Sequence, residues 1–366
     1  MNFPIRKTRQ IKIGSVAVGG GAPVSLQSMT NTSTADAGVT LAQIRRLAAA
    51  GCDIIRCAVP DGEAVKALPE ILAGSPIPVI GDIHFDYRLA LGAIRAGIHG
   101  IRINPGNIGS EDRVRAVAEA AGEAGIPIRV GANSGSLPRG LLEKKLAAGL
   151  DRKSAMAQAL SEAALEQVKL LERYGFTQVK VSLKSSSVES TVAACRYFAE
   201  HSDIPLHIGI TEAGPPAVGI VKSAVGIGTL LMEGIGETMR VSLTADPVQE
   251  VVAGLAILEA AGLRKAEPEI VSCPTCGRTR INLERLAEEV YRFVASLKAE
   301  GKRIGLKKIA VMGCVVNGPG EASDADLGLA GGEGKAVVFQ NGEIVRTLPE
   351  KEALDFLKRK IEESIR

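Results

Sequence analysis

Cys273-Pro-Thr-Cys276 puts two thiolates within reach of one metal centre, and Cys314 brings a third from the end of an apolar run. A lone C-x-x-C suits zinc, a redox dithiol or an iron–sulfur cluster. Structural zinc takes four Cys or His ligands, yet no His follows His207 and no fourth Cys lies in the last quarter of the chain. A thioredoxin-like pair has no use for a third Cys on a separate loop. Three soft ligands and one open position suit a cubane cluster with one iron bound differently, although four Cys is the common rule. Glu321, across the Gly318-Pro319-Gly320 turn from Cys314, is the nearest carboxylate that could fill that position. A plain surface acid is its other reading.

A second set of residues is cationic. Arg56, Arg102, Arg129, Lys180, Lys184 and Arg240 each sit in a short Val/Ile-rich run where polar and apolar residues alternate. Two cations about 8 Å apart repel by roughly 2 kcal/mol at an effective dielectric near 20. Several in one cavity therefore call for an anion, and guanidinium forks suit phosphate oxygens. A phosphorylated or diphosphate substrate is the expectation. The alternative for any single Arg is a structural ion pair with Asp53, Asp82 or Glu212. Glu212, in Thr211-Glu212-Ala213-Gly214, stands just past such a run and could act as a general acid or base, or simply favour a helix N-terminus. His84 and His207 could assist or serve the scaffold.

These residues need a scaffold that gathers them. Between residues 23 and 262 a short Val/Ile run is followed, eight times, by a longer Ala/Leu-rich run with helical spacing. The strands are expected at Pro23–Met29, Asp53–Val59, Ile77–Ile83, Gly100–Asn104, Ile126–Ala132, Gln178–Leu183, Leu206–Ile210 and Thr238–Leu243. Their helices are expected at Thr40–Ala50, Asp61–Leu72, Asp86–Ala96, Ser110–Ala124, Lys153–Tyr174, Val188–His201, Pro215–Val225 and Asp246–Ala261. Such alternation implies parallel strands with crossover helices, and eight repeats match a (β/α)8 TIM barrel. An open doubly wound sheet is the runner-up, without a glycine fingerprint after the first strand to support it. Helices outside leave no solvated sheet face, so the alternating polar residues must point into the lumen, towards the carboxyl ends of the strands where barrel active sites lie. The stretch Ser134–Asp151 is either a loop over the mouth or an insertion without consequence.

After Leu263 the pattern changes. Residues 264–277 read as a polar linker. A helix (Leu283–Ala299), a strand (Lys308–Val316), a hairpin around Asn341-Gly342 and a last helix (Pro349–Ile365) follow. The expected division is a barrel over 1–265 that binds substrate and an α+β unit over 266–366 that carries the cysteines.

Composition excludes several classes. The chain has 366 residues with 44 basic and 41 acidic side chains, so net charge says nothing about partners. No Trp and few Phe and Tyr leave little to stack on bases, which argues against a nucleic-acid partner. The start has no apolar run behind its basic residues, so no secretory signal is expected. The most apolar stretch, Val251 to Leu263, is too short for a bilayer. A cytoplasmic location is the default, and six cysteines in a reducing compartment are read for metal or catalysis before disulfides.

Taken together, QSMTNT (27–32), IIRCAVP (54–60), GDIHFD (81–86), IRINPGN (101–107), HIGITEAG (207–214), SCPTCGR (272–278) and GCVVNGPGE (313–321) resemble the 4-hydroxy-3-methylbut-2-enyl diphosphate synthases of the non-mevalonate isoprenoid pathway, in their two-domain bacterial form. The resemblance implies a [4Fe-4S] cluster on Cys273, Cys276, Cys314 and Glu321. It implies a substrate, 2-C-methyl-D-erythritol 2,4-cyclodiphosphate, opened with two electrons from flavodoxin or ferredoxin and loss of water. Arg56, Arg102, Arg129, Lys184, Arg240 and Ser242 would bind the diphosphate, with Asp82, Asn104, Asn133 and Thr211 in the binding set and Glu212 the proton donor. It also implies a homodimer, the cluster domain of one subunit capping the barrel of the other. On residue chemistry alone, a Schiff-base aldolase using Lys180 or Lys184, with a zinc-binding tail, is the competing enzyme.

Overall fold

The computed structural model describes residues 5–365 apart from 105–107, 134–136, 139, 265–267, 301, 315–321 and 333. The chain forms two compact units, Met1–Arg264 and Lys265–Arg366.

In the first unit, eight strands lie where the Val/Ile runs predict them. They are β3 (Ser25–Met29), β4 (Ile54–Ala58), β5 (Val79–Asp82), β6 (Ile101–Arg102), β7 (Ile128–Asn133), β8 (Val179–Lys184), β9 (His207–Ile208) and β10 (Thr238–Met239). They pair in the order β8-β7-β6-β5-β4-β3-β10-β9, parallel at every ladder. A parallel bridge between Val181 and Leu206 joins the two ends. Closure rules out the open sheet.

Helices α1 (Ala37–Ala49), α2 (Gly62–Gly74), α3 (Tyr87–Arg95), α4 (Glu111–Glu123), α6 (Arg152–Glu172), α7 (Val188–His201), α8 (Pro216–Met232) and α9 (Pro247–Ala260) follow the strands, with a short α5 (Leu141–Ala147) in the long β7–α6 connection. Six begin on a side-chain cap: Asp36, Asp61, Asp86, Asp151, Ser187 and Asp246 each accept a backbone N–H from the first turn. Such caps satisfy otherwise orphaned donors and fix where each strand-to-helix loop ends. Helix α8 runs past the expected Val225, because Gly226 lets it close on the sheet: a Cβ there would lie 2.7 Å from Ile210.

Alternate residues of the strands, among them Ile55, Cys57, Val79, Ile101, Ile103, Ile128, Val130, Val179, Val181 and Leu183, join one apolar cluster with the helices. Their neighbours in sequence therefore face the lumen. The lumen's amino-terminal end is closed by a hairpin, β1 (Ile11–Ile13) and β2 (Val16–Val18). Its Ile11, Ile13 and Val18 pack on the inward-facing Ile54 and Ile80.

The second unit is one five-stranded sheet, β11 (Glu269–Ser272), β12 (Lys308–Met312), β13 (Leu327–Gly331), β14 (Ala336–Gln340) and β15 (Glu343–Leu348), with α10 (Leu283–Ala299) and α11 (Glu350–Glu363). Ile309 and Val311 face the helices, while Ala310 and Met312 pack with Phe339 on the other side. Two sequence expectations change here. The segment expected to be linker contains β11, which pairs in parallel with β12. The Gly-rich run 327–331, given no structure from sequence, is β13. Its Gly328 lies under the Phe339 ring, where a Cβ would come within 2.2 Å. The expected hairpin turn is present, with Asn341 and Gly342 at φ 50° and 82°.

Candidate active site

Parallel register carries the cations into one cavity. Met29 pairs with Arg56, Asp82 with Arg102, Arg102 with Arg129, and Arg129 with Lys180. Register partners in a sheet share a face, so these side chains converge in the lumen. Lys184 and Arg240 complete the set, with Lys184 Nζ 2.7 Å from where a Cβ of Gly209 would stand. That close approach is why a glycine occupies the position.

Among the described residues, Asp82 and Glu250 are the acids ion-paired with these cations. Asp82, 4% exposed, lies 3.1 Å from Arg102, 3.7 Å from Arg56 and 3.4 Å from His84 Nε2. Burial pushes its pKa up, but the hydrogen bond from His84 and the charges of Arg56, Arg102 and Arg129 outweigh that and hold it well below the usual carboxylate range. Glu250 at the start of α9 grips Arg240 at 3.2 Å and also accepts the Leu243 N–H at 3.0 Å. Arg56 otherwise donates to the Met29 thioether, at 2.9 and 3.2 Å, a weak acceptor.

The rest of the positive charge is unanswered. Arg129 keeps Nε and Nη1 buried without an acceptor, as does Lys180 with Nζ. Burial first, then the charges of Arg240 and Arg102, lower Arg56 to about 10 against the opposing pull of Asp82. Burial and the neighbouring guanidiniums, Arg129 first, lower Lys180 and Lys184 much further. His207 is fully buried, its Nδ1 2.9 Å from Thr238 Oγ1, and burial beside Lys184 and Arg129 lowers it too. Asn104, Asn133, Thr211 and Ser242 are half-buried at the carboxyl ends of β6, β7, β9 and β10.

Glu212 lies two residues beyond Ile210, exposed, with φ at 53°. A left-handed backbone costs a residue with a Cβ roughly 1–2 kcal/mol. Strain of this kind concentrates at functional sites.

The thiols gather at the carboxyl ends of β11 and β12. Register pairs Ser272 with Val311, which brings Cys273 beside Gly313, whose N–H donates to the Cys273 sulfur at 3.1 Å. Cys314 is buried, Cys273 half-buried and Cys276 exposed, and all six cysteines of the chain are free. Hydrogen bonds from the backbone and side chain of Arg278 lower the Cys276 thiol. The three share one end of the sheet, although among the described residues no three Cys, His, Asp or Glu side chains form a closed metal-holding group. Glu321 lies outside the described residues. Cys52, Cys57 and Cys195 are core thiols, pushed up by burial to about 12, 11 and 12.

The model of the GcpE TIM-barrel domain matches residues 8–255, and that of the GcpE protein C-terminal domain matches 269–363. The chain belongs to the GcpE family. This GcpE chain is 55% identical over 356 residues to the 4-hydroxy-3-methylbut-2-en-1-yl diphosphate synthase (flavodoxin) of Geobacter sulfurreducens, covering 97% of each chain. It is 53% identical to the enzyme of the same name from Maridesulfovibrio salexigens, covering 96% of each. Among solved structures, the dihydropteroate synthase of Yersinia pestis is similar over 69% of this chain and 98% of that one, with TM-score 0.49 and 14% identity, too distant to bear on function. The chain is an oxidoreductase, and the aldolase alternative is not favoured. No helix among the described residues is long and apolar enough to cross a membrane.

Sequence reasoning alone misses Glu250 and Met29 as parts of the GcpE cavity. The available signal for Glu250 is an acid on a helix that is otherwise apolar, VQEVVAGLAIL. Its 4% exposure makes a buried partner obligatory.

Proposed function

We propose that this GcpE chain converts 2-C-methyl-D-erythritol 2,4-cyclodiphosphate to 4-hydroxy-3-methylbut-2-enyl diphosphate. The reaction takes up two electrons and two protons, opens the ring and releases water. The observation that carries the reading is the lumen itself: Arg56, Arg102, Arg129, Lys184 and Arg240 converge from five strands, and among the described residues Asp82 and Glu250 are the acids ion-paired with them. A diphosphate supplies the missing negative charge. Asp82 serves as the counter-ion that holds Arg56 and Arg102 in place, Ser242 joins the cations on the diphosphate, and Asn104, Asn133 and Thr211 at the rim hydrogen-bond oxygens on the substrate's carbon chain. Glu212 holds the proton that leaves with the hydroxyl.

The residues present fit a [4Fe-4S] cluster on Cys273, Cys276, Cys314 and Glu321. Three free thiols, one sulfur already accepting a backbone N–H and one thiol lowered by hydrogen bonding are the surroundings of thiolate ligands. When bound, the cluster supplies the electrons, received from flavodoxin or ferredoxin. The protein is proposed to act in the cytoplasm as a homodimer. Support for self-association is the strip Val218, Val221, Val225 and Met232, 51–61% exposed along one face of α8.

Protein purified without oxygen is expected to be brown and to hold about four irons and four sulfides per chain. With reduced flavodoxin it is expected to consume the cyclodiphosphate. A colourless, zinc-containing preparation overturns the reading.

A further inference from the structure

Below Lys184 the lumen stays polar, where a TIM barrel ordinarily packs branched apolar side chains. Gln27 on β3, Lys180 on β8 and His207 on β9 are each 1% exposed. Both amide atoms of Gln27, Lys180 Nζ and His207 Nε2 lack a hydrogen-bond partner, as do Arg129 Nε and Nη1 beside them. Lys180 stands four residues before Lys184 on β8, roughly 13 Å lower along the strand. It is therefore under the mouth rather than at it.

Among the described residues, the charged groups that bear on Lys180 are identifiable. Arg129 reaches it from β7, Arg56 from β4, and His207 from β9. Glu237, before β10, is the one acid among them, and its carboxylate is taken up by the Leu206 N–H at 2.5 Å and by Arg6 at 3.7 Å. The guanidiniums keep their protons whatever their surroundings. Repulsion in the ligand-free barrel therefore falls on the groups that can give a proton up. Lys180 Nζ is buried without an acceptor among them.

We infer that Lys180 takes up a proton from solvent when a diphosphate binds among the arginines around it, so that substrate binding by this chain is coupled to proton uptake. The incoming negative charge offsets Arg56 and Arg129, and the Nζ lone pair then binds a proton; no other bond forms or breaks. The inference rests on the proposed diphosphate site. Its sign is fixed: in the free protein burial and Arg129 hold the Lys180 pKa down, and bound anion raises it. Between the two values affinity falls as pH rises, by up to about tenfold per unit.

The test is calorimetric titration of oxidised, cluster-loaded GcpE with 2-C-methyl-D-erythritol 2,4-cyclodiphosphate, in buffers of different ionisation heat. Without reductant there is no turnover. Each phosphorus of the cyclic ligand carries one ester and the shared anhydride oxygen, leaving a single strongly acidic hydroxyl, so the ligand itself does not titrate near neutral pH. The wild-type protein is expected to take up protons on binding, and Lys180→Met fewer, the remainder falling to Lys184 and His207. Lys180→Arg, charged throughout, is expected to bind with the same reduced uptake and serves if the Met variant does not fold. Binding with no proton change in the wild-type protein overturns the inference, as does equal uptake in the variants. No binding at all overturns the diphosphate site instead.

Discussion

Nη2 of Arg240 lies 3.2 Å from both carboxylate oxygens of Glu250, and Nε lies 3.2 Å from one of them. An acid on the outer helix thus reaches through the wall of the barrel to aim a cation inside it. Removing one partner of such a buried pair strands the other. Glu250→Ala is expected to lose about 3–5 kcal/mol of stability, read from urea unfolding, and Glu250→Gln less, because the amide oxygen still accepts the Leu243 N–H. Equal losses in the two variants would show that the Leu243 contact contributes nothing.

Strain and chemistry at Glu212 can be separated. Glu212→Gly is expected to raise the melting temperature, relieving up to about 1–2 kcal/mol of left-handed strain. Glu212→Gln keeps the strain. Both should lose activity by roughly 10²–10⁴, the scale of a missing general acid. A glycine variant that turns over at the wild-type rate removes Glu212 from the mechanism.

Asp82 and Lys180 both make stability rise with pH, but in different windows and for different reasons. The folded-state pKa of Asp82 is depressed, so its contribution is complete above the unfolded value of about 3.9 and is lost only as pH falls well below it. Lys180 is also depressed, but it is a base. The unfolded chain binds its proton more readily, so stability rises with pH until the unfolded value near 10.4 is passed. Thermal melts of ligand-free protein between pH 6 and 9 are expected to show an upward slope that Lys180→Met reduces. A slope unchanged in that variant assigns it to Lys184 or His207.

Cys314→Ser is expected to abolish the cluster's visible absorption while the barrel still binds the cyclodiphosphate. Full iron content in that variant would remove Cys314 from the ligand set.

The barrel was legible because its strands are short Val/Ile runs bounded by Asp or Ser caps, and because polar residues at every second position had nowhere to point but inward. The partnering of those residues was not. Arg56 and Arg102 do take Asp82 as an ion-pair partner, one of the plain alternatives, whereas Arg240 takes Glu250, which stands on the next helix and shares no strand periodicity with it. β13 escaped notice because Gly328 makes room for Phe339, and strand propensity counts glycine as a breaker. The hairpin β1–β2 is three residues a side, too short for alternation to register.

That hairpin has a consequence for traffic. Ile11, Ile13 and Val18 seal one end of the barrel with hydrocarbon, so a molecule that reaches the arginines must return by its entry route. Substrate and diphosphate product then queue at a single doorway, and accumulated product should act as a competitive inhibitor.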